Sequence, residues 1–271
     1  MPELPEVETV RRVLKENLIG LRITDLDVRY SQMIENDLEF FKENVINKEI
    51  TDIKRIGKYL IFILNDGAII SHLRMEGKYF YVNDYSIDNK HVHLIFKLSN
   101  GYLLMYQDVR KFGRVVYKNN NELYTTKPLN SLGVDPILDK EIEIKTIYDK
   151  IVNKTIPIKS TLLEQTIICG LGNIYVDEVL FQSNILPSRL SNTITLEETK
   201  LIVESSVAIL SKAIMYKGTT IRSYTSSLGI KGEYQQFLKI HTKAICNTCN
   251  DNVSKIKIGG RTTYYCAKCQ R

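Results

Sequence analysis

Four cysteines near the C-terminus are the feature that most constrains this chain. They form two Cys-x2-Cys pairs, Cys246 with Cys249 and Cys266 with Cys269, separated by 16 residues. Four thiolates at this spacing suit tetrahedral coordination of one structural Zn²⁺, with a hairpin between the pairs. Disulfide bonds are the alternative, but nothing else in the sequence indicates an oxidising compartment. The sequence therefore predicts a C-terminal zinc-ribbon hairpin.

The same segment carries the excess positive charge of the chain. The 271 residues have a formal net charge of +6, and residues 236–271 contain seven Lys or Arg against one Asp, which accounts for all of it. Lys and Arg neutralise phosphates and release counterions, so a basic module on a neutral body is expected to bind a polyanion such as nucleic acid. A solvated basic tail is the alternative.

Composition indicates a globular protein outside the membrane. Apolar residues make up 44% of the chain, which is enough to build packed cores. No apolar run reaches the roughly 18 to 20 residues of a membrane span, and Met1-Pro2-Glu3 does not begin like a signal peptide. We therefore expect a cytoplasmic location and no membrane partner.

The hydrophobic pattern predicts an α+β chain. Residues 5–18 have helical spacing, and residues 23–117 contain short apolar runs typical of a β-sandwich or barrel, with hairpins around residues 65–67 and 100–101. Helical periodicity follows a break at residues 130–140. Three helices are predicted there, over residues 159–168, 174–182 and 196–216, with a capping box from Thr195 and Glu198 on the last.

These patterns divide the chain into three predicted domains. They are an N-terminal β-sandwich with a flanking helix (residues 1–132), a helical domain (133–235) and the zinc hairpin (236–271). Residues 218–234, rich in Gly, Ser and Thr, are interpreted as a binding loop, with a passive linker as the alternative.

Pro2 is the candidate nucleophile. Removal of Met1, expected before a small residue, would leave its ring nitrogen as a free secondary amine. An α-amino group has a pKa of about 8, so an unprotonated fraction can attack an aldehyde-like carbon at neutral pH. Glu3 and Glu6 are candidates for a general acid or base and for an anchor of the terminus. A processed terminus and acids that favour a helix start are the alternatives.

Six motifs, in order and spacing, resemble the bacterial formamidopyrimidine-DNA glycosylase family over essentially the whole chain. They are residues 1–9 (MPELPEVET), 57–60 (GKYL), 72–77 (HLRMEG), 108–113 (DVRKFG), 170–175 (GLGNIY) and the four-cysteine hairpin. The resemblance implies a β-sandwich, a helix–two-turn–helix domain and a zinc finger. It also implies a DNA glycosylase and abasic-site lyase of bacterial base excision repair, nucleoid-associated, that removes 8-oxoguanine and formamidopyrimidines from double-stranded DNA. A monomer is expected, because it suits a protein that acts on one lesion.

The resemblance assigns chemical roles to particular residues. It implies that Pro2 attacks C1′ of the damaged nucleotide and forms a Schiff base, and that Glu3 assists departure of the base. It further implies that Lys58 serves β-elimination by proton transfer and phosphate contact, and that Arg261 serves the following δ-elimination.

The resemblance also implies a set of DNA contacts. Met75, Arg110 and Phe112 would fill the space left by a flipped nucleotide, with core packing as the alternative for Met75 and Phe112. Residues expected to hold phosphates are His91, Lys154, Lys159 and Asn173, with Gly170 and Gly172 allowing close approach of the backbone to DNA. The expected lesion pocket comprises Glu76 and, in the 218–234 loop, Arg222, Ser223, Tyr224 and Thr225.

Two other functions remain as alternatives. An endonuclease VIII-like glycosylase would share the amine chemistry but act on oxidised pyrimidines, although Leu4 and the complete Arg110-x-Phe112 set favour the purine branch. A zinc-dependent damaged-DNA-binding protein would lack catalysis. The chain departs from the family pattern at Val109, where Pro is common, and at residues 240–242, where the family has Tyr-Gly-Arg.

Overall fold

A computed structural model describes residues 1–219 and 232–271. Contacts within the chain divide these residues into two compact units. The first contains Met1–Pro2 and Glu6–Asn130, and the second contains Glu3–Pro5, Ser131–Thr219 and Glu233–Arg271. The division lies close to the predicted boundary at residues 132/133, and the cysteine hairpin groups with the helical residues.

The first unit is built around helix α1, Leu4–Leu18. Apolar residues at helical spacing, among them Val7, Val10 and Leu14, are fully or almost fully buried in the core of the unit. After the helix ends, Gly20 adopts a φ of +80° and donates its N–H to Ile50. The predicted helix over residues 5–18 is therefore confirmed.

Two four-stranded antiparallel sheets form a β-sandwich in this unit. The first sheet has the order β1-β6-β7-β5 and the second β2-β3-β4-β8. The strands are β1 Ile23–Val28, β2 Ile50–Ile56, β3 Tyr59–Leu64, β4 Gly67–His72, β5 Lys78–Val82, β6 Val92–Leu98, β7 Leu103–Gln107 and β8 Arg114–Asn119. Side chains from both sheets and from α1 share one core, which confirms the predicted sandwich. Both predicted hairpins, β3-β4 and β6-β7, are present.

A short helix interrupts the predicted run of strands. Helix α2 spans Leu38–Val45, and the side chain of Asp37 caps it by accepting the N–H groups of Glu39 and Phe40. The prediction of strands alone over residues 23–117 is wrong here. The signal was present, because Asp37 is a favoured cap and Phe41 and Val45 lie four residues apart on one buried face.

The second unit is helical up to residue 219. Its helices are α3 Ile144–Val152, α4 Ile158–Leu163, α5 Asn173–Gln182 and α6 Leu196–Met215. The capping box of Thr195 and Glu198 is confirmed. Among residues 1–219 and 232–271, no helix has the length and apolar character needed to cross a membrane.

The predicted helix over residues 159–168 is wrong in its second half. Helix α4 ends at Leu163, and Gln165 adopts a φ of +68°. The Gln165 side chain accepts the N–H of Gly170 and donates to the carbonyl of Leu171. These bonds fold residues 164–172 into turns that lead directly into α5.

The cysteine segment forms the predicted hairpin. Strand β9, Ser254–Ile258, pairs antiparallel with β10, Arg261–Tyr265. The connecting Gly259 and Gly260 have φ of +54° and +75°, the backbone conformation that a two-residue hairpin turn requires. The turn thus places Arg261 at the first position of β10.

Candidate functional site

Lys58 lies in the tight turn between β2 and β3. Gly57 before it has a φ of +55°, and the guanidinium of Arg55 donates to the Gly57 carbonyl. Lys58 itself is only 5% exposed. A lysine beside a strand is usually solvated, but Lys58 is not. The turn thus holds the backbone at a buried lysine.

His72, at the end of β4, is a candidate residue to which the sequence analysis gave no role. Its Nδ1 accepts the N–H of Arg74, and its ring lies edge-on to Tyr59 with centroids 4.6 Å apart. Burial, together with the positive charges of Arg74 and Lys58, lowers the pKa of His72 to about 3. The imidazole is therefore neutral near pH 7, with its proton on Nε2. The only sequence signal was its place in the 72–77 motif.

The predicted void-filling residues lie on two loops of the first unit. Met75 is half-buried in the loop after β4, and Phe112, in the loop after β7, is 46% exposed. The guanidinium of Arg110 lies over the Phe112 ring at 4.7 Å from its centroid. Core packing is therefore not the role of Phe112, and the pair presents a planar cation and an aromatic ring at the surface.

The buried carboxylate of Asp108 fixes the shape of the second loop. One oxygen accepts the N–H of Arg110 at 3.0 Å, and the other accepts the N–H of Gly113 at 2.8 Å. Lys111 between them has a φ of +58°. Val109, where the chain departs from the family pattern, is exposed and takes no part in these bonds.

The N-terminal residues of the first unit are buried. Pro2 is buried, and its nitrogen becomes an amine only when Met1 is removed. Glu6, on the first turn of α1, is 5% exposed. Glu8 binds Arg11, Arg12 and Arg55. Burial alone would raise the pKa of Glu8, but hydrogen bonds from Arg11 and Arg12 and the charge of Arg55 lower it to about 2.

The other predicted contacts are less enclosed. His91 and Glu76 are both half-buried, and the His91 N–H donates to the side chain of Asn89. In the second unit, Lys154 pairs with Glu164 at 3.0 Å but keeps 40% of its side chain exposed. Exposure of this order leaves these side chains accessible to a ligand.

Glu3 sits at the N-terminus of α5. Its carboxylate accepts the backbone N–H groups of Gly172 at 2.7 Å, Ile174 at 2.9 Å and Tyr175 at 3.2 Å. A helix N-terminus offers such unpaired N–H groups and a partial positive charge, so it holds a carboxylate well. The residue is 2% exposed. The fold thus orients Glu3 through donors 169 or more residues away in sequence.

Gly170 and Gly172 make room for the N-terminal residues. A Cβ on Gly172 would lie 2.3 Å from Cδ of Glu3, and one on Gly170 would lie 2.4 Å from Leu4. Close approach of DNA to these glycines stays a prediction, and the structure shows a further reason for the absence of a side chain. They let Glu3 and Leu4 occupy the space beside the start of α5.

Lys159 is in a buried ion network rather than at the surface. It is fully buried, and its Nζ donates to Asp177 at 2.7 Å, to Oγ1 of Thr263 at 2.9 Å and to the Thr262 carbonyl at 3.3 Å. Because an ammonium has three donors, all of them are engaged. The predicted phosphate contact by Lys159 therefore does not fit this structure.

The same network and its neighbour attach the cysteine segment to α5. Asp177 also accepts from Nδ1 of His241 and from the N–H of Tyr264. Glu178, next on the helix, accepts the N–H groups of Lys239, Ile240 and His241. Burial raises the pKa of Glu178, and the three N–H donors oppose this. His241, in the stretch that departs from the family pattern, thus has a structural partner.

Asn173 and Arg261 lie at the start of α5 and of β10. The Asn173 side chain donates to the Thr262 carbonyl at 2.9 Å, and its Oδ1 is buried without a hydrogen-bond partner among the residues described. Arg261 is exposed. The Asn173 amide thus contacts the backbone of the residue that follows exposed Arg261 in β10.

The four cysteines have the geometry of a metal site. Their sulfur atoms all lie within 4.8 Å of one another, with Cys246 to Cys269 at 3.9 Å and Cys249 to Cys266 at 3.4 Å. A Zn–S distance of about 2.3 Å in a tetrahedron corresponds to sulfur atoms about 3.8 Å apart. All four are free thiols rather than disulfides, so the donor set fits a structural tetrahedral metal.

Four residues of the predicted lesion pocket lie outside the described residues. They are Arg222, Ser223, Tyr224 and Thr225. Of the predicted 218–234 loop, residues 218–219 and 232–234 are described.

Comparison with known proteins decides the family. A model of the formamidopyrimidine-DNA glycosylase N-terminal domain matches residues 1–115, and a model of the formamidopyrimidine-DNA glycosylase H2TH domain matches residues 132–225. The formamidopyrimidine-DNA glycosylase of Streptococcus pneumoniae is 42% identical over 273 residues, covering 100% of this chain and 99% of that protein. This chain belongs to the formamidopyrimidine-DNA glycosylase family.

Solved structures of this family agree over the full chain. The complex between the Lactococcus lactis Fpg and an abasic site containing DNA has a TM-score of 0.92 and 39% identity, covering 99% of both chains. The complex of wild-type Lactococcus lactis Fpg (MutM) with an N7-benzyl-Fapy-dG containing DNA has a TM-score of 0.92 and 39% identity, covering 100% of both. The predicted membership of the formamidopyrimidine-DNA glycosylase family and the predicted fold class are both confirmed.

Proposed function

We propose that this chain is a bifunctional DNA glycosylase and abasic-site lyase that excises oxidised purines, 8-oxoguanine and formamidopyrimidines, from double-stranded DNA. Family membership over the whole chain supports the reaction class. The single observation that carries the chemistry is the seat of Glu3. Three backbone donors hold its carboxylate, and it follows Pro2 directly in the chain.

In the proposed reaction the Pro2 nitrogen, freed of Met1, attacks C1′ of the damaged nucleotide. The bond from C1′ to the base breaks and its electron pair leaves with the base. Glu3 then acts as general acid or base, since the proline nitrogen loses a proton and the ring oxygen O4′ gains one as the C1′–O4′ bond opens. The resulting iminium makes the neighbouring C2′ proton acidic. Loss of that proton expels the 3′ phosphate by β-elimination, and a second elimination releases the 5′ phosphate.

Lys58 and Arg261 are proposed to serve the two eliminations. Lys58 is buried at the braced turn between β2 and β3, and a buried lysine on a rigid turn suits proton transfer and contact with a phosphate at β-elimination. Arg261 is exposed at the tip of the cysteine hairpin, where a guanidinium can hold a departing phosphate in δ-elimination. Glu6 is proposed to anchor the terminus.

The proposed DNA contacts are of two kinds, those that fill the space left by the flipped nucleotide and those that hold the DNA backbone. Met75, Arg110 and Phe112 are proposed to fill the space of the flipped nucleotide, since exposed Phe112 and the guanidinium stacked on it suit insertion between bases. His91, Lys154 and Asn173 are proposed to hold phosphates. Glu76 with Arg222, Ser223, Tyr224 and Thr225 is proposed as the lesion pocket.

The cysteine cluster is proposed to hold one structural Zn²⁺. The four thiols are the donor set that zinc prefers, and bound zinc would supply folding free energy to a hairpin with a small core. We further propose that the protein acts as a monomer on nucleoid DNA in the bacterial cytoplasm, because one lesion presents one site and the substrate is chromosomal.

Substrate choice is tested by single-turnover excision on matched duplexes. One duplex carries 8-oxoguanine opposite cytosine, and the other carries thymine glycol opposite adenine. We expect clear preference for 8-oxoguanine and a product shortened by both eliminations. Preference for thymine glycol would support an endonuclease VIII-like activity instead, and binding without cleavage of either duplex would support a non-catalytic role.

A further inference from the structure

Two short loops carry the residues proposed to enter DNA. The first wedge loop, residues 72–77, carries Met75, and the second wedge loop, residues 108–113, carries Arg110 and Phe112. Each is fixed internally. In the first, the N–H of Gly77 donates to Leu73 at 2.9 Å, and the second is braced by the Asp108 carboxylate. These hydrogen bonds lie within each loop and do not set the position of one loop relative to the other.

Both wedge loops pass over the hydroxyl of Tyr106, a fully buried residue of β7. A Cβ built on Gly77 would lie 2.1 Å from this hydroxyl oxygen, and one built on Gly113 would lie 1.8 Å from it. Real Cβ atoms essentially never approach another heavy atom within 3.0 Å. The last residue of each loop is therefore in contact with the same oxygen atom.

Space, rather than backbone conformation, explains why these two positions are glycine. Gly101, in a turn nearby in sequence, has a φ of +85° and nothing within 4 Å of its Cβ position. Gly77 and Gly113 show the opposite combination, since neither has a positive φ and both face Tyr106. Any side chain there would push its loop away from the tyrosine, and at Gly77 it would also collide with the Leu73 carbonyl, 2.6 Å from the Cβ position.

Tyr106 cannot easily move aside. Its ring packs edge-on against Tyr79 with centroids 4.9 Å apart, and Tyr79 is itself fully buried and donates its hydroxyl to Ser71 at 2.8 Å. A close-packed interior transmits such a contact instead of absorbing it. The hydroxyl thus provides a rigid reference point for both loops.

We infer that Tyr106 is a positioning residue that sets the two wedge loops against each other, so that Met75, Arg110 and Phe112 enter the DNA in one fixed arrangement. This inference rests on the proposed function. Because a misplacement of about 1 Å can slow catalysis about a hundredfold, a shared reference point for the wedge has a measurable consequence.

Gly113→Ala tests the inference, because its three closest collisions, at 1.8, 2.8 and 3.2 Å, are all with Tyr106. We expect single-turnover excision of 8-oxoguanine to fall about tenfold or more, since the second loop must shift. Cleavage at a preformed abasic site should fall less than about threefold, since less unstacking and unpairing is needed there. 2-Aminopurine beside the lesion should report weaker unstacking.

Gly67→Ala is the matched control. Its Cβ would lie 2.3 Å from the hydroxyl of Tyr117 and 2.6 Å from the backbone oxygen of Lys118, a collision at least as severe in the same unit, at a turn that carries no wedge residue. We expect it to lower stability while leaving the ratio of excision to abasic-site cleavage unchanged. Combining Gly113→Ala with Tyr106→Phe should restore part of the excision rate and of the 2-aminopurine signal, because the closest colliding atom is removed.

The inference is overturned if Gly113→Ala and Gly67→Ala change both activities to the same extent, or if Tyr106→Phe restores nothing. If Gly113→Ala does not fold, Tyr106→Phe is compared with Tyr79→Phe. If the ratio of excision to abasic-site cleavage is several-fold lower in Tyr106→Phe alone, the inference is supported. Equal ratios in the two variants overturn it. A wild-type protein inactive on both the 8-oxoguanine duplex and the abasic-site duplex would instead contradict the proposed function, so the two failures are distinguishable.

Discussion

At position 172 the chain has no room for a side chain, and this links a glycine to the proposed acid-base residue. Gly172→Ala would place a Cβ 2.3 Å from the Glu3 carboxyl carbon and displace it, although the backbone there, with a φ of −120°, accepts alanine without strain. We expect excision to fall about a hundredfold and stability to fall by about 1 to 3 kcal/mol, because buried N–H groups at the start of α5 lose their acceptor. Single-turnover kinetics and thermal unfolding measure the two effects.

The control for this prediction is a double-mutant cycle with Glu3→Gln. If Gly172→Ala acts through Glu3, it should add little to the defect of Glu3→Gln, because the two changes disturb one interaction. Fully additive losses would contradict the assignment.

A second residue-scale prediction concerns His72. Its pKa is lowered to about 3 by burial and by the charges of Arg74 and Lys58, whereas an unfolded histidine titrates near 6.5. Between these values the unfolded state binds the proton and the folded state does not, so stability falls as the pH falls. We expect His72 to account for about 2 kcal/mol of lost stability between pH 7 and pH 5.

Urea unfolding of wild type and His72→Asn at the two pH values measures this contribution. The variant should lose less stability on acidification, and the imidazole resonances of His72 should not titrate down to about pH 4 in the folded protein. A His72 resonance that titrates near pH 6 would contradict the prediction.

At the scale of elements, Glu8 ties helix α1 to strand β2 through Arg55. Hydrogen bonds from Arg11 and Arg12 and the charge of Arg55 outweigh burial and lower the pKa of Glu8 to about 2. Its stabilisation is therefore complete above about pH 4.5 and is lost as the pH falls through about 2. Glu8→Gln should cost about 2 to 3 kcal/mol at pH 7 by chemical unfolding.

Glu16→Gln, on an exposed position of the same helix, is the matched control. We expect it to change the free energy of unfolding by less than about 0.5 kcal/mol. Equal effects of the two variants at pH 7 would contradict the role of the Glu8 cluster.

The cysteine hairpin is an element whose folding should depend on metal. Its core is small, with Phe181, Ile240, Cys246 and Cys266 as its buried members. We expect chelation or Cys249→Ser to abolish DNA binding while the β-sandwich stays folded. Elemental analysis for zinc, DNA titration and circular dichroism check the three parts. Retained affinity after confirmed metal loss would contradict the prediction.

Elements set by local signals could be predicted from the sequence. Helix α1, the β3-β4 hairpin and the capping box of Thr195 follow from spacing and turn residues within a few positions. The early end of α4 could not be predicted, because Gln165 leaves the helix to bind Gly170 and Leu171 through its side chain. The helical periodicity of residues 159–168, taken alone, predicts that the helix continues.

Site geometry depended on contacts distant in sequence and was less predictable. The residue types near Pro2 indicated an amine and a carboxylate, but the donors of Glu3 lie beyond residue 170. Lys159 carried a phosphate prediction, yet Asp177 and Thr263, far along the chain, enclose it. The sequence shows that Lys159 carries a positive charge, but not that its ammonium is buried and therefore not available to a phosphate.

At the scale of the whole molecule, the proposed function depends on the mature N-terminal proline being the nucleophile. The two compact units, the cysteine hairpin and the wedge loops are all interpreted around a covalent bond between Pro2 and a sugar carbon. A carboxylate seated beside that residue in sequence has a catalytic meaning only if the amine is present.

Borohydride trapping on a duplex containing 8-oxoguanine, followed by mass spectrometry of the linked peptide, shows whether Pro2 forms the covalent bond. Reduction of the Schiff base should leave a stable adduct on Pro2 of a chain that lacks Met1, and Lys58→Ala should still form it. An adduct on Lys58 alone, or no adduct in protein shown to have lost Met1, would show that Pro2 is not the nucleophile.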